Sequence, residues 1–61
     1  MVKLWWVHPN GQGSIEMGGF NTQEEAVKAI KYARQVLIDQ CSNEEQVAVI
    51  NNGRWETEAV F

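Results

Sequence analysis

The stretch Val47-Ala48-Val49-Ile50-Asn51-Asn52-Gly53 joins a short apolar run to an Asn-Gly pair, and the start of the chain shows the same pattern. There Leu4-Trp5-Trp6-Val7 is followed by Asn10-Gly11. Asn-Gly is the strongest short-range signal for a β-hairpin, because a type I′ turn needs a positive φ at both central residues. The sequence therefore predicts two hairpins, one near each end of the chain.

The segment between the two hairpins is typical of one long helix, from Thr22 to about Gln40. Thr22 and Glu25 have the spacing of a capping box, in which each side chain bonds the backbone of the other. An apolar stripe then follows at helical spacing: Ala26, Ile30, Ala33 and Leu37. With Ser42–Glu45 as a polar connection, the chain reads β-β-α-β-β.

The simplest assembly is a single α+β domain over residues 1–61, a ββαββ fold. It has a four-stranded antiparallel sheet in the order 2-1-3-4, with one helix packed on one face. Two-residue loops would place Trp5 opposite Glu16 and Ile50 opposite Trp55. Alternation along the strands then predicts the residues buried between helix and sheet: Leu4, Trp6, Ile15, Met17, Ile30, Leu37, Ile50 and Trp55.

The other face of this sheet is predicted to be uncovered and apolar at its centre. Four apolar residues of the two central strands fall on it: Trp5, Val7, Val47 and Val49. Charged residues surround them: Lys3, Glu16, Arg54, Glu56 and Glu58. An apolar centre inside a charged rim is typical of a protein–protein interface. Together these residues are the predicted interaction site.

The charge of the chain bears on the class of partner. A formal net charge of −3 argues against binding to phosphate backbones, which depends on clustered Lys and Arg. An aromatic residue on an open sheet face, such as Trp5, also fits the stacking of single-stranded nucleic acid, and this is the alternative function. The carboxylates of Glu16, Glu56 and Glu58 on the same face oppose it.

No residue pattern predicts an enzyme, a metal site or a bound cofactor. His8 is the only histidine and adjoins a turn, without a nucleophile or further ligands near it in sequence. Asn10-Gly11-Gln12-Gly13 contains two glycines, as phosphate-binding loops do, but it connects two strands rather than opening a helix. Hairpin chemistry explains it better.

The cysteine count and the hydropathy predict where the chain resides. Cys41 is the only cysteine, which excludes a disulfide within the chain, and it is interpreted as a small apolar residue near the helix end. Since no signal peptide is recognisable either, we expect a reducing, cytoplasmic setting. No apolar stretch approaches the roughly 18 residues of a membrane span.

The segment Phe20-Asn21-Thr22-Gln23-Glu24-Glu25-Ala26 resembles the F-x-T-x-x-E-A helix start of a family of small uncharacterised bacterial β-β-α-β-β domains. Members of that family also open with an aromatic strand and close with an Asn-Gly or Asp-Gly hairpin, here Asn51-Asn52-Gly53-Arg54. The resemblance covers most of the chain. It implies the fold described above and no assigned activity, so it transfers no functional residues.

Size completes the functional prediction. A domain of about 60 residues buries only about 60% of its unfolded surface, so stability from its own core is marginal. Association is the remaining source of stability. We therefore expect a non-enzymatic protein-interaction module, adaptor-like or inhibitor-like, that forms a homodimer through the sheet face or an edge strand and also binds an unidentified protein. A surplus helix stripe offers a further contact surface: Ala29, Tyr32 and Val36.

Overall fold

A computed structural model describes all residues from Met1 to Phe61. The elements follow in the order β1 Val2–Val7, β2 Ser14–Phe20, α1 Gln23–Lys28, α2 Ile30–Asp39, α3 Glu44–Asn52 and β3 Arg54–Ala59. The three strands form one antiparallel sheet in the order β2-β1-β3, so β1 is central. The α+β class and the first hairpin are confirmed. The predicted four-stranded ββαββ sheet is wrong.

The error lies in residues 47–50, which belong to α3 and not to a strand. The Asn43 Oδ1 caps this helix by accepting the Gln46 N–H at 2.9 Å, and the Gln46 Oε1 accepts the Ser42 N–H at 2.6 Å. At the other end the Gly53 N–H donates to the carbonyls of the last helical turn. Preference for strand in a β-branched run is weak and context-dependent, and here the caps and packing outweigh it.

The second Asn-Gly pair therefore ends a helix and does not form a hairpin. Gly53 has φ −69°, outside the left-handed region that a type I′ turn requires. The strand that follows, β3, pairs directly with β1, in the position predicted for residues 47–50. The predicted pairing of Ile50 with Trp55 is accordingly wrong, since Trp55 lies opposite Trp6.

The first hairpin keeps its predicted register but has a different turn. Trp5 lies opposite Glu16, as expected, and a β-bulge then places Leu4 opposite Gly18 instead of Met17. In the loop, the Gly11 N–H donates to the His8 carbonyl at 2.8 Å. Gly11 has φ 75°, whereas no residue other than glycine has a positive φ. The turn is thus not type I′, because only one of its two predicted central residues is left-handed.

The predicted helix from Thr22 to about Gln40 is confirmed as a bent pair, α1 and α2. The Thr22 Oγ1 accepts the Glu25 N–H at 3.2 Å, and the Glu25 carboxylate accepts the Asn21 N–H at 3.3 Å. At the bend, the Ala29 N–H donates to the carbonyls of both Glu25 and Ala26. The Thr22 cap is therefore confirmed, whereas the Glu25 carboxylate bonds the residue before Thr22 and not Thr22 itself.

The core is small and lies between β1 and the bent helix. Only six side chains are buried, and among them Val7 lies on the other face of the sheet: Leu4, Trp6, Val7, Ala26, Ala33 and Leu37. Of the other predicted core residues, most are partly buried: Met17, Ile30, Ile50 and Trp55. Ile15 is 43% exposed, because the cluster around Leu4 reaches Met17 and Phe20 of β2 but not Ile15. The prediction of a buried Ile15 is wrong.

Asn43→Ala is expected to destabilise the protein by about 1 kcal/mol, because it leaves the first turn of α3 without its side-chain acceptor. Urea unfolding followed by far-UV circular dichroism measures the change. Asn51→Ala is the matched control, since Asn51 is exposed in the last turn of α3 and its side chain makes no hydrogen bond. Equal stabilities of the two variants would contradict a capped helix at this position.

Candidate functional site

The helices cover one face of the sheet and leave the other open. Leu4 of β1 packs against Ala26 and Ala33, which defines the covered face. Because side chains alternate along a strand, the odd-numbered residues of β1 point to the other side. The residues of β2 and β3 that lie opposite these β1 residues point to the same side. The open face thus gathers Lys3, Trp5, Val7, Glu16, Arg54, Glu56 and Glu58.

Val47 and Val49 are not part of this face, which corrects the predicted site. Both lie in α3, which contacts α2, and both are partly buried there. The apolar centre of the open face is therefore smaller than predicted: it consists of Trp5, which is partly exposed, and Val7, which is only 8% exposed. All other predicted site residues come together.

Trp5 occupies the middle of the open face. Its indole Nε1 donates to the Glu58 Oε1 at 3.3 Å, and its side chain remains partly exposed. Glu16 and Glu56 lie opposite it on the two neighbouring strands. The ring is therefore held within the face by strands on both sides.

An open groove of about 630 Å³ runs along Trp5 and Val7. One side is formed by the first hairpin loop, Gly11–Ser14, and the other by Arg54–Glu58 of β3 except Trp55. The contribution of the loop was not predicted. The sequence feature that indicates this contribution is the pair of glycines Gly11 and Gly13, which have no side chains to fill the space beside the face.

The charged residues of the face are paired loosely with one another. The Lys3 Nζ lies 3.5 Å from the Glu16 Oε1, and the Arg54 Nη2 lies 3.9 Å from the Glu56 Oε2. Exposed pairs of this kind contribute at most about 1 kcal/mol, so exchanging one partner for another costs little. The rim is therefore able to form ion pairs with a second molecule.

The other two tryptophans serve the fold. Trp6 is 4% exposed, and its Nε1 donates to the Ile50 carbonyl at 3.1 Å. Its ring also meets His8 edge-on, with the centroids 5.7 Å apart. Trp55 packs against the core cluster. Trp5 is thus the one tryptophan placed to contact a partner.

His8 and Cys41, which lie outside the face, make local hydrogen bonds. The His8 Nδ1 accepts the Asn10 N–H at 3.1 Å within the turn, and the Cys41 thiol donates to the Leu37 carbonyl at 3.3 Å near the end of α2. No group of three or more His, Cys, Asp or Glu side chains is placed to hold a metal ion.

A second apolar surface lies on the outside of α2. Tyr32 and Val36 are one helical turn apart and are 67% and 50% exposed. The Lys31 Nζ lies 5.0 Å from the centroid of the Tyr32 ring. Ala29, the third residue of the predicted stripe, is partly buried at the helix bend. No groove accompanies this surface.

Comparison with protein-family models, curated proteins and solved structures found no match to this chain. The resemblance to small bacterial β-β-α-β-β domains therefore stays a prediction, and its third strand is wrong for residues 47–50. None of the helices has the length and apolar character needed to cross a bilayer.

Proposed function

We propose that this chain is a small non-enzymatic protein-interaction module that contacts a partner protein through the open face of its sheet. The observation that carries the proposal is the position of Trp5, partly exposed at the centre of a face that no helix covers. Tryptophan is enriched among the residues that dominate binding energy at interfaces. The groove and the charged rim around Trp5 give this face the anatomy of such an interface.

Self-association is the second part of the proposal. With six buried residues, the monomer has a small core, and burial of further apolar surface against a second copy would stabilise it. A module of this kind acts as an adaptor or as an inhibitor that occupies its partner's surface. A cytoplasmic setting belongs to the same proposal.

Electrostatics favours a protein partner over single-stranded nucleic acid. A base stacked on Trp5 would bring its phosphates close to Glu16 and Glu56, which flank the ring. The face carries three carboxylates and two cations, and the whole chain has a net charge of −3. Nucleic-acid binding requires the opposite sign.

Trp5→Ala is expected to weaken capture of the partner at least about tenfold, since loss of an interfacial tryptophan costs about 2 kcal/mol or more. The measurement is affinity capture from a lysate of the source organism, followed by titration of the captured protein against each variant. Tyr32→Ala is the matched control, because it removes an exposed aromatic ring from the outside of α2.

Equal capture by the two variants would contradict a role for the open face. A gel shift with single-stranded oligonucleotides provides the opposing test. Binding that requires Trp5 and weakens with salt would replace the protein partner by the nucleic-acid alternative.

A further inference from the structure

β3 lies at an edge of the sheet, and the backbone pattern shows which of its groups are unpaired. The Val60 N–H donates to the Met1 carbonyl at 2.8 Å, and the Met1 amino group donates back to the Val60 carbonyl at 3.5 Å. Hydrogen-bonded and non-hydrogen-bonded pairs alternate along an antiparallel ladder. In the observed register, Arg54, Glu56 and Glu58 therefore bond to β1, whereas the N–H and C=O groups of the residues between them point outward.

These outward groups belong to Trp55, Thr57 and Ala59, and no loop, cap or side chain bonds to them. An edge of this kind is a template for a further strand. The other edge, β2, is less suitable. Its pairing is interrupted by the bulge near Met17, and Gly18 has φ 131°. Bulges are a common way of protecting an edge from pairing.

We infer that β3 pairs antiparallel with β3 of a second copy, across a two-fold axis at Glu56. The inference rests on the proposed function, because it specifies the surface through which the module self-associates. In this register, Trp55 of each copy exchanges backbone hydrogen bonds with Thr57 of the other. The two three-stranded sheets become one continuous sheet with a single open face.

The charges and the free backbone groups of β3 together select this register. Arg54 of each copy faces Glu58 of the other, which gives two opposite-charge pairs, and Glu56 faces Glu56 of the other copy at the axis, which is a single like-charge pair. An axis at Thr57 would instead set Glu56 against Glu58 twice, and directly opposed like charges are destabilising. An axis at Trp55 would set Arg54 against Glu56 twice, but it would require hydrogen bonds between Thr57 and Gly53, whose N–H already donates to the Val49 carbonyl in α3. The axis at Glu56 keeps both Trp55–Thr57 pairs.

This arrangement places two copies of the Trp5 site on one surface. Three strand spacings separate β1 from its counterpart, so the two Trp5 residues lie roughly 14 Å apart across the sheet. A partner with two matching contacts, or a two-fold symmetric partner, would engage both sites. Linking two weak sites in this way increases the overall affinity without new contacts.

The test is a charge reversal with rescue, measured by sedimentation equilibrium at low salt. The wild type is expected to be dimeric at about 100 µM, a concentration at which a micromolar dissociation constant leaves little monomer. Arg54→Glu and Glu58→Arg should each weaken the dimer by roughly tenfold or more, because two attractive pairs become repulsive. The double variant R54E/E58R restores both pairs and should recover the wild-type dissociation constant to within about threefold.

Glu45→Arg is the charge-matched control for Glu58→Arg, since Glu45 is exposed in the first turn of α3. Far-UV circular dichroism of each variant checks that the monomer is folded. Amide hydrogen exchange gives a second readout that needs no substitution. Protection of the Trp55 and Thr57 amides should rise more steeply with protein concentration than that of Arg54 and Glu56, which are already bonded to β1.

A wild-type monomer at this concentration would overturn the inference. So would a dimer in which the single reversals have no effect, or in which the Trp55 and Thr57 amides exchange at the same rate at all concentrations. The role of the open face is tested separately by the capture experiment with Trp5→Ala. If the wild type is monomeric and Trp5→Ala loses the partner, edge pairing is wrong and the role of the open face is supported. If the double charge reversal restores the dimer and Trp5→Ala still captures the partner, edge pairing is supported and the role of the open face is wrong.

Discussion

Gly53→Ala is expected to destabilise the protein by about 2–4 kcal/mol, one of the largest effects of any single methyl group added to this chain. A Cβ at Gly53 would overlap the Trp6 indole at its Nε1 and Cε2 atoms. Backbone strain is not the reason, since Gly53 has φ −69°, which any residue adopts. The glycine is required because the edge of the indole ring occupies the space of a side chain.

The Trp6 ring has little freedom to move away from a Cβ at Gly53. It is 4% exposed, and its Nε1 donates to the Ile50 carbonyl at 3.1 Å. Displacing the ring would break this bond and disturb the central strand β1. Overpacking in a closed site costs about 1–3 kcal/mol, and the lost hydrogen bond adds about 1 kcal/mol.

Urea unfolding of Gly53→Ala beside Gly13→Ala measures this effect. Gly13 is the matched control, because it lacks a positive φ and a Cβ there would meet no atom within 4 Å. Its replacement should leave stability unchanged or raise it by a few tenths of a kcal/mol, through the loss of unfolded-state entropy. Equal unfolding midpoints for the two variants would contradict the close approach of Trp6 to Gly53.

The first hairpin and the bent helix were predictable because local chemistry decides them. The Thr22 cap is made by a side chain three residues from its backbone partner, and the pairing of Trp5 with Glu16 follows from a short loop. The bulge at Leu4 was not predictable in the same way. It leaves Met17 between the residues that pair with Leu4 and Trp5, and regular alternation along a strand does not describe such an extra residue.

The third helix was missed because a short apolar run fits either a helix or a strand. Residues 47–50 are rich in β-branched side chains, which favoured a strand, and Asn52-Gly53 was consistent with a hairpin. The contrary signal was the spacing of Asn43 and Gln46, which is that of a capping box; the Asn43 side chain accepts the Gln46 N–H, and the Gln46 side chain accepts the N–H of Ser42, the residue before the cap. A glycine directly after such a segment also fits a helix end.

Most of the candidate site was predicted correctly despite this error, because the side chains of β3 point to the predicted faces of the sheet. Trp55 packs against the core in both arrangements, so Arg54, Glu56 and Glu58 point to the open face whichever strand lies beside β3. Val47 and Val49 were lost because their assignment depended on the missing strand. The predicted order 2-1-3-4 also places the last strand at an edge of the sheet, so its free edge was predicted, whereas its direct pairing with β1 was not.

Leu4→Ala is expected to cost about 3–5 kcal/mol of unfolding free energy, the upper part of the range for buried leucines. Leu4 is the one large side chain with no exposed surface, and it lies on the central strand against Ala26 and Ala33. These small neighbours cannot fill the cavity that the lost methyl groups leave. A domain of this size is stable by only about 3–9 kcal/mol, so most of its stability would be lost.

Thermal and urea unfolding of Leu4→Ala beside Ile15→Ala measure this cost. Ile15 is the control because it lies on the same side of the sheet but is 43% exposed and outside the core cluster. Its truncation should cost about 1 kcal/mol, since the removed atoms are already partly in water. Both variants remove a strand-forming side chain, so the difference between their unfolding free energies measures the effect of burial. A Leu4→Ala protein that unfolds within about 1 kcal/mol of Ile15→Ala would show that the helix does not close over Leu4.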